Sequence, residues 1–281
     1  MRMIYIPLIK KAVKEDMGKN GDITTDSIIS SGKKGRAILK AKSDGIICGL
    51  HVFEDTFFYI DKDLKIETFF NDGDRIVKGD VVAVIKGSLN SILKAERTAL
   101  NFIQRMSGIS TCANQFAEAV KGTKAEVLDT RKTLPGFRTL DKYAVKTGGA
   151  KNHRIGLFDM FLIKDNHISA AGGITKAVEK ALKFRKKKGL DSKIEVEIKN
   201  IEEFKEAVKL DVDWIMLDNM NVEDIKKCVK LNKGKKKLEI SGNVNLERVR
   251  ELAETGADYI SVGALTHSVK AMDLSLLVEQ E

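Results

Sequence analysis

Six short apolar runs in the second half of the chain end on residues that can do chemistry. AEVLD (125–129) leads into Thr130-Arg131-Lys132, MFLIK (160–164) ends on Lys164, and IEVEI (194–198) carries Glu197. WIML (214–217) runs into Asp218-Asn219, LEIS (238–241) into Ser241-Gly242-Asn243, and YISVG (259–263) into Val262-Gly263-Ala264. Arginine offers a planar fork that matches a carboxylate or phosphate, and lysine offers a point charge. One charge at one run end is routine surface. A lysine and two carboxylates on successive run ends converge on one mouth, and the last two runs end in glycine turns where backbone N–H groups can receive a phosphate. Between Thr130 and Arg154 the chain adds Arg131, Lys132, Arg138, Lys142, Lys146, Lys151 and Arg154 against one acid, Asp141, a net of +6 in 25 residues. That chemistry is capture of small anions, with His153 as the one titrating group in the segment.

These residues need elements to hold them. Ile174, Ala177, Val178, Ala181 and Leu182 fall at helical spacing, which predicts a helix ending near Gly189. Asn200, Asn221 and Asn245 each stand where an N-cap belongs, before IEEFKEAV, VEDIKKCV and LERVRELA. Short apolar strands alternating with amphipathic helices predict a parallel sheet covered by helices. Six such units, with an irregular basic stretch between the first two, fit an α/β barrel, or a barrel short of a strand, better than an open doubly wound sheet. No GxGxxG follows a strand, so the dinucleotide fold lacks its main support. The first part differs. Residues 1 to 18 read as a helix, and RAILKAKSDGIICGL and LKIETFFNDGDRIVKGDVVAVIKGS are β-branched and punctuated by Asn71-Asp72-Gly73 and Lys78-Gly79-Asp80. This is a small α+β domain. Its DGDRIVKGDVVAVIKG piece looks like the layout of biotinyl and lipoyl carriers but lacks a hairpin-tip lysine of their type, and it reads as scaffold. A long helical stretch from about Leu89 leads out of it, and the expected boundary lies between 1–108 and 109–281.

Composition narrows the function class. The 281 residues carry 49 Lys plus Arg against 40 Asp plus Glu, a net +9, so nucleic acid has to be considered. Position argues against it. Arg185-Lys186-Lys187-Lys188 form the last turn of a predicted helix, where the dipole favours cations by about 0.3–1 kcal/mol each; Lys235-Lys236-Lys237 lie in a helix-to-strand connection. Both read as solvated surface. Cys48, Cys112 and Cys228 form no CxxC and cannot close into a disulfide framework, which points to a reducing, cytoplasmic setting. No window reaches the roughly 20 apolar residues of a membrane span, and the first residues lack a signal-peptide pattern.

With those residues in view, the sequence resembles the nicotinate-nucleotide pyrophosphorylase (carboxylating), or quinolinate phosphoribosyltransferase, family. The resemblance runs over nearly the whole chain through EDMGKNGDITT (15–25), ERTALNFIQRMSGIST (96–111), DTRKTLPGFRTLDKYAVKTGGAKNHRIGLFD (129–159), LIKDNH (162–167), EVEI (195–198), MLDNM (216–220), SGNV (241–244) and ISVGALTHS (260–268). It implies a small N-terminal α/β sandwich domain followed by an open, seven-stranded α/β barrel, one strand more than the runs above supply. It also implies transfer of phosphoribosyl from phosphoribosyl pyrophosphate to quinolinate with decarboxylation, in NAD synthesis.

By motif, the resemblance assigns Arg97, Arg131, His153, Arg154 and Lys164 to the carboxylates of quinolinate, Arg97 reaching across the interface of a homodimer with shared active sites, or of a hexamer built from such dimers. Lys132 and Lys164 face the pyrophosphate or the quinolinate. Ser241-Gly242-Asn243 and the Gly263 turn suit the 5-phosphate, and Thr130, Val262 and Ala264 are also assigned to substrate binding. Glu197 and Asp218 hold the ribose hydroxyls and Mg²⁺, directly or through other ligands. Lys132, Lys164, Glu197 and Asp218 are the catalytic set. Where the family often has alanine before SGN, Ile240 stands here, which bears on barrel packing. A molybdenum-transport-associated paralogue acting on another anionic heterocycle is the nearest rival, and retained Arg97, Arg131, Lys132, His153 and Arg154 argue for quinolinate. A flavin- or thiamine-phosphate-binding barrel would share only the late glycine turns. Neither a nucleic-acid nor a membrane partner is expected.

Overall fold

The structure, a computed structural model, describes residues 2–279. In chain order the elements are α1 (Arg2–Met17), α2 (Ile23–Ile28), β1 (Lys34–Ala41), β2 (Gly45–Ile46), α3 (Leu50–Ile60), β3 (Lys65–Thr68), β4 (Arg75–Ile76), β5 (Val81–Ser88) and α4 (Leu89–Ala119). Then come β6 (Glu126–Leu128), α5 (Arg138–Thr147), β7 (Phe161–Ile163), α6 (Asp165–Ala171), α7 (Ile174–Lys188), β8 (Ile194–Ile198), α8 (Ile201–Ala207), β9 (Trp214–Asp218), α9 (Val222–Asn232), β10 (Lys237–Ser241), α10 (Leu246–Ala253), β11 (Tyr259–Ser261), α11 (Ala264–His267) and β12 (Leu274–Glu279). Among the described residues no helix is long and apolar enough to cross a membrane.

The chain divides into two compact units, and a single cut near residue 108 does not describe them. Among the described residues one unit comprises 2–114, 134–149 and 268–279; the other comprises 115–133 and 150–267. Strand pairing is the reason for the last piece. β12 lies antiparallel to β1, Leu274 opposite Ala41 and Leu276 opposite Leu39, so the C-terminus completes the sheet β12-β1-β5-β3 of the first unit. That antiparallel sheet packs Ala37, Leu39, Ile85, Leu274 and Leu276 against Phe53 and Phe57 of α3 and Ile92, Ala99 and Ile103 of α4. The basic stretch after β6 is also divided. Arg138, Lys142 and Lys146 lie on helix α5 of the first unit, where Arg105 makes a two-pronged ion pair with the buried Asp141, at 3.0 and 2.8 Å.

In the second unit six parallel strands run in the order β6-β11-β10-β9-β8-β7. The seventh strand that the resemblance implies is reduced to one residue. Lys151 forms a parallel bridge with Leu128 on the free side of β6, donating to Val127 O at 2.8 Å and accepting from the Asp129 N–H at 3.0 Å. The helix signals hold. Asn200, Asn221 and Asn245 accept from Glu203, Asp224 and Arg248 N–H groups, and α7 ends at a left-handed Gly189. Lys186, Lys187 and Lys188 are exposed on its last turn, while Lys236 and Lys237 reach Val212 O and Asp258.

Because β12 covers one side of β1, a chain ending at Asp273 is expected to lose amide-exchange protection along Arg36–Ala41 on that side. It should also melt several degrees lower; unchanged exchange would mean β12 contributes nothing to the sheet.

Candidate active site

A cavity of about 570 Å³ opens at the C-terminal ends of the parallel strands, lined entirely from the second unit. Strand geometry explains its lining. Alternate residues of a strand share a face, and the lining takes residues two apart: Leu162 and Lys164 around β7, Met216 and Asp218 in β9, Glu239 and Ser241 in β10, Ser261 and Gly263 around β11, with Glu197 from β8. The register aligns them, Glu197 opposite Met216, Met216 opposite Glu239, and Asp218 opposite Ser241.

Thr130, Arg131, Lys132, His153, Arg154, Lys164, Glu197, Asp218, Ser241, Gly242, Asn243, Gly263 and Ala264 all line this cavity. Two residues do not. Val262 is fully buried, because it sits on the opposite face of the strand end from Ser261 and Gly263. Arg97 is exposed on α4 of the first unit. Of the seven cations between Thr130 and Arg154, only Arg131, Lys132 and Arg154 reach the lining; Lys151 pairs with Glu126 at 2.7 Å.

The cavity lining carries two sets of charged groups. In one, Lys164 Nζ lies 3.0 Å from Glu197 Oε2, and Asn219 Nδ2 donates to Asp218 Oδ2 at 2.9 Å. In the other, Arg131 stands close enough to Arg154 to lower its pKa, after burial, which lowers it more. Two guanidiniums in mutual repulsion are a site that an anion would relieve. Arg154 is held in place by donating to Met160 O at 3.1 Å.

Beneath them His153 Nε2 faces Glu195 Oε2 at 2.9 Å and Glu239 Oε2 at 3.3 Å. Burial disfavours an imidazolium here, but the hydrogen bonds and charges of the two carboxylates outweigh it and push the His153 pKa up to about 10. The two carboxylates thus favour the imidazolium. Burial and then Glu239 push the Glu195 carboxyl upward, with His153 pulling the other way.

The glycine turns are sterically specified. Gly242 has φ +100°, and a Cβ there would lie 2.1 Å from Asn219 Oδ1. Asn219 and Asn243 also take positive φ, at 54° and 50°. At Gly263 a Cβ would come within 3.1 Å of both Lys132 Cδ and His267 Cδ2, so the missing side chain leaves room for those two.

Comparison with known proteins agrees with this geometry. Two family models match, the quinolinate phosphoribosyl transferase N-terminal domain over residues 22–107 and its C-terminal domain over 109–277. The chain belongs to the quinolinate phosphoribosyltransferase family. A Nicotiana tabacum protein named quinolinate phosphoribosyltransferase [decarboxylating] 2b, mitochondrial, is 45% identical over 98% of this chain and 82% of its own length. A Bacillus subtilis protein named probable nicotinate-nucleotide pyrophosphorylase [carboxylating] is 41% identical over 93% and 89%. The solved structure of the nicotinate-nucleotide pyrophosphorylase from Francisella tularensis superposes with a TM-score of 0.94 at 41% identity, covering 99% of this chain and 97% of that one.

Within this family member, Glu195, Glu239, Ser261, Met216, Asn219 and His267 escaped the sequence reading although they line or underlie the cavity. A signal was available for four of them. Glu195, Met216, Glu239 and Ser261 each stand two residues before a residue that the strand ends had already marked, so the period-2 rule puts them on the same inward face.

Gly242→Ala places a methyl group against Asn219 at a backbone angle L residues rarely adopt. Its expected cost is about 1–3 kcal/mol in urea unfolding; a variant as stable as the parent would show that the turn is not constrained.

Proposed function

We propose that this chain transfers the phosphoribosyl group of phosphoribosyl pyrophosphate to quinolinate with decarboxylation, giving nicotinate mononucleotide, pyrophosphate and carbon dioxide for NAD synthesis. The observation that carries the reading is that two sets of groups line one cavity: Arg131, His153 and Arg154 suit a small dicarboxylate, and Lys132, Lys164, Glu197 and Asp218 with two glycine turns suit a sugar phosphate. The names borne by its relatives support the same chemistry.

The reaction needs no nucleophilic side chain. The pyridine nitrogen attacks C1 of the ribose as the C1–oxygen bond breaks and the electron pair leaves with pyrophosphate. Loss of the 2-carboxylate then leaves an electron pair at ring carbon 2, next to the cationic nitrogen, and this carbon takes up a proton. The protein's contribution is orientation, with cations fixed where leaving-group charge develops. Arg131, His153, Arg154 and Lys164 hold the two carboxylates, and Lys132 and Lys164 face the pyrophosphate. Ser241-Gly242-Asn243 and Gly263-Ala264, with Thr130, receive the 5-phosphate, and Glu197 and Asp218 take the ribose hydroxyls.

Glu197 and Asp218 are also hard oxygen donors on neighbouring strands. A set of few carboxylates suits Mg²⁺, which keeps waters and binds through phosphate oxygens. Held there, Mg²⁺ would offset pyrophosphate charge. The assembly we propose is a homodimer with shared sites, in which Arg97 of the partner subunit completes the quinolinate pocket. Free Cys48, Cys112 and Cys228 support a reducing, cytoplasmic setting.

The deciding assay supplies purified protein with quinolinate, phosphoribosyl pyrophosphate and Mg²⁺ and follows carbon dioxide and nicotinate mononucleotide. Turnover of another acceptor in place of quinolinate would assign the chain to a paralogous activity. Arg131→Ala removes a charge-assisted contact of about 1.5–3 kcal/mol, so kcat/KM for quinolinate should fall roughly 10–150-fold. Mixed dimers of Arg97→Ala and Lys164→Ala subunits should regain part of the activity that each variant lacks alone; verified heterodimers with no recovery would rule out a shared site.

A further inference from the structure

We infer that Glu195 and Glu239 are positioning residues for His153 and, through it, set the affinity for the acceptor's carboxylate; this rests on the quinolinate reading above. Both carboxylates are fully shielded from solvent. They rise from β8 and β10, on either side of β9, and close on one imidazole nitrogen, His153 Nε2, at 2.9 and 3.3 Å. Ser261 Oγ from β11 donates to Glu239 Oε1 and fixes that carboxylate in turn. His153 itself belongs to no helix or strand. Its backbone N–H is held by Asp129 Oδ1 at 2.9 Å, and Trp214 packs edge-on to the ring at 6.0 Å. A loop residue is thus pinned at three points from four strands' worth of scaffold.

Stability does not explain the arrangement. Taking two carboxylates out of water costs several kcal/mol each, and an apolar replacement of such a cluster is often neutral or stabilising. Glu195 Oε1 faces no N–H or hydroxyl donor, and the Glu239 carboxyl beside it raises the Glu195 pKa, a cost that a purely structural cluster would avoid. What the pair does provide is a fixed ring. With Nε2 directed inward at two carboxylates, the imidazole keeps one orientation in the cavity wall, and the neighbouring Arg154 is presented beside it. Glu195 and Glu239 both face His153, a quinolinate residue in this reading, whereas Glu197 faces Lys164 and Asp218 faces Asn219. Loss of Glu195 or Glu239 should therefore be felt by one substrate and not the other.

The same His153, Glu195 and Glu239 atoms lie within 4.8 Å of one another, close enough to ligate a metal ion, so the experiment must separate the two roles. Glu195→Gln and Glu239→Gln keep size and hydrogen bonding; Glu239→Leu keeps the bulk and removes hydrogen bonding; Ser261→Ala is a milder change that loosens Glu239 alone. Each is compared with the parent for KM of quinolinate, KM of phosphoribosyl pyrophosphate, kcat, melting temperature, metal content, and ¹⁵N chemical shifts of labelled histidine. Four histidines in the chain make the His153 ring resonances assignable with one His153→Asn control.

The expected result is a rise of tenfold or more in KM for quinolinate with that for phosphoribosyl pyrophosphate within twofold, displaced His153 resonances, and a Gln variant that retains more affinity than Leu. Equal losses for both substrates, a change in melting temperature with both KM values intact, or one equivalent of transition metal lost on Glu→Gln substitution would overturn the positioning role. If the parent fails to turn over quinolinate, the functional reading falls. The histidine resonances, which need no turnover, then still report whether the carboxylates hold the ring.

Discussion

Charge inside a barrel must find partners inside the barrel, and that constraint organises the second unit. The parallel ladder β6-β11-β10-β9-β8-β7 turns every second side chain inward. In most barrels those positions carry branched apolar residues; here they carry Glu195, Glu197, Asp218, Glu239, Ser241 and Ser261 toward the strand ends. Most of these groups face a partner. Glu195 and Glu239 are met by His153, Glu197 by Lys164, and Asp218 by Asn219. At the mouth Arg131 lies close enough to Arg154 to lower its pKa, a repulsion that an anionic substrate would relieve.

The alternation of short apolar strands with capped helices was readable because each signal is local: an asparagine at an N-cap or a glycine at a left-handed C-cap acts within one turn of chain. The residues at the strand ends were readable for a related reason. A charge placed where an apolar run stops has few purposes in a barrel other than facing the mouth. Glu195 and Glu239 were passed over because they lie inside the runs, where a carboxylate in IEVEI or LEIS reads as the exposed face of a strand. Only pairing β8 with β9 and β9 with β10 shows that both faces of β8 are buried, a non-local fact that no window of sequence contains.

The first unit shows the same limit on a larger scale. DLSLLVE has the composition of a strand, yet nothing near it says that its partner is β1, more than two hundred residues earlier. The segment between Thr130 and Arg154 reads as one basic stretch because sequence averages over neighbours. The fold cuts it at Leu134 and Gly149, giving α5 to the first unit and leaving Arg131, Lys132, His153 and Arg154 to the cavity. Net charge over a window counts Arg138, Lys142, Lys146 and Lys151, which do not line the cavity, together with the residues at its ends, which do.

The division of labour in the cavity follows from what each cation can do. Guanidiniums are rigid, bidentate and permanently charged, so Arg131 and Arg154 suit a ground-state task, gripping a planar dicarboxylate without titrating. Lysine is a mobile point charge on a flexible stem, and Lys164 arrives already paired with Glu197, a contact it can exchange for a phosphate oxygen as charge builds on a leaving group. His153 differs from both, since an imidazole is a cation at neutral pH only where something holds it so. The two carboxylates beneath it supply that field at a fixed position before any ligand enters, so the cost of organising the charge falls on folding and not on the reaction. A site that must first hold two carboxylates and then release one as carbon dioxide needs such a prepaid framework more than it needs a reactive side chain.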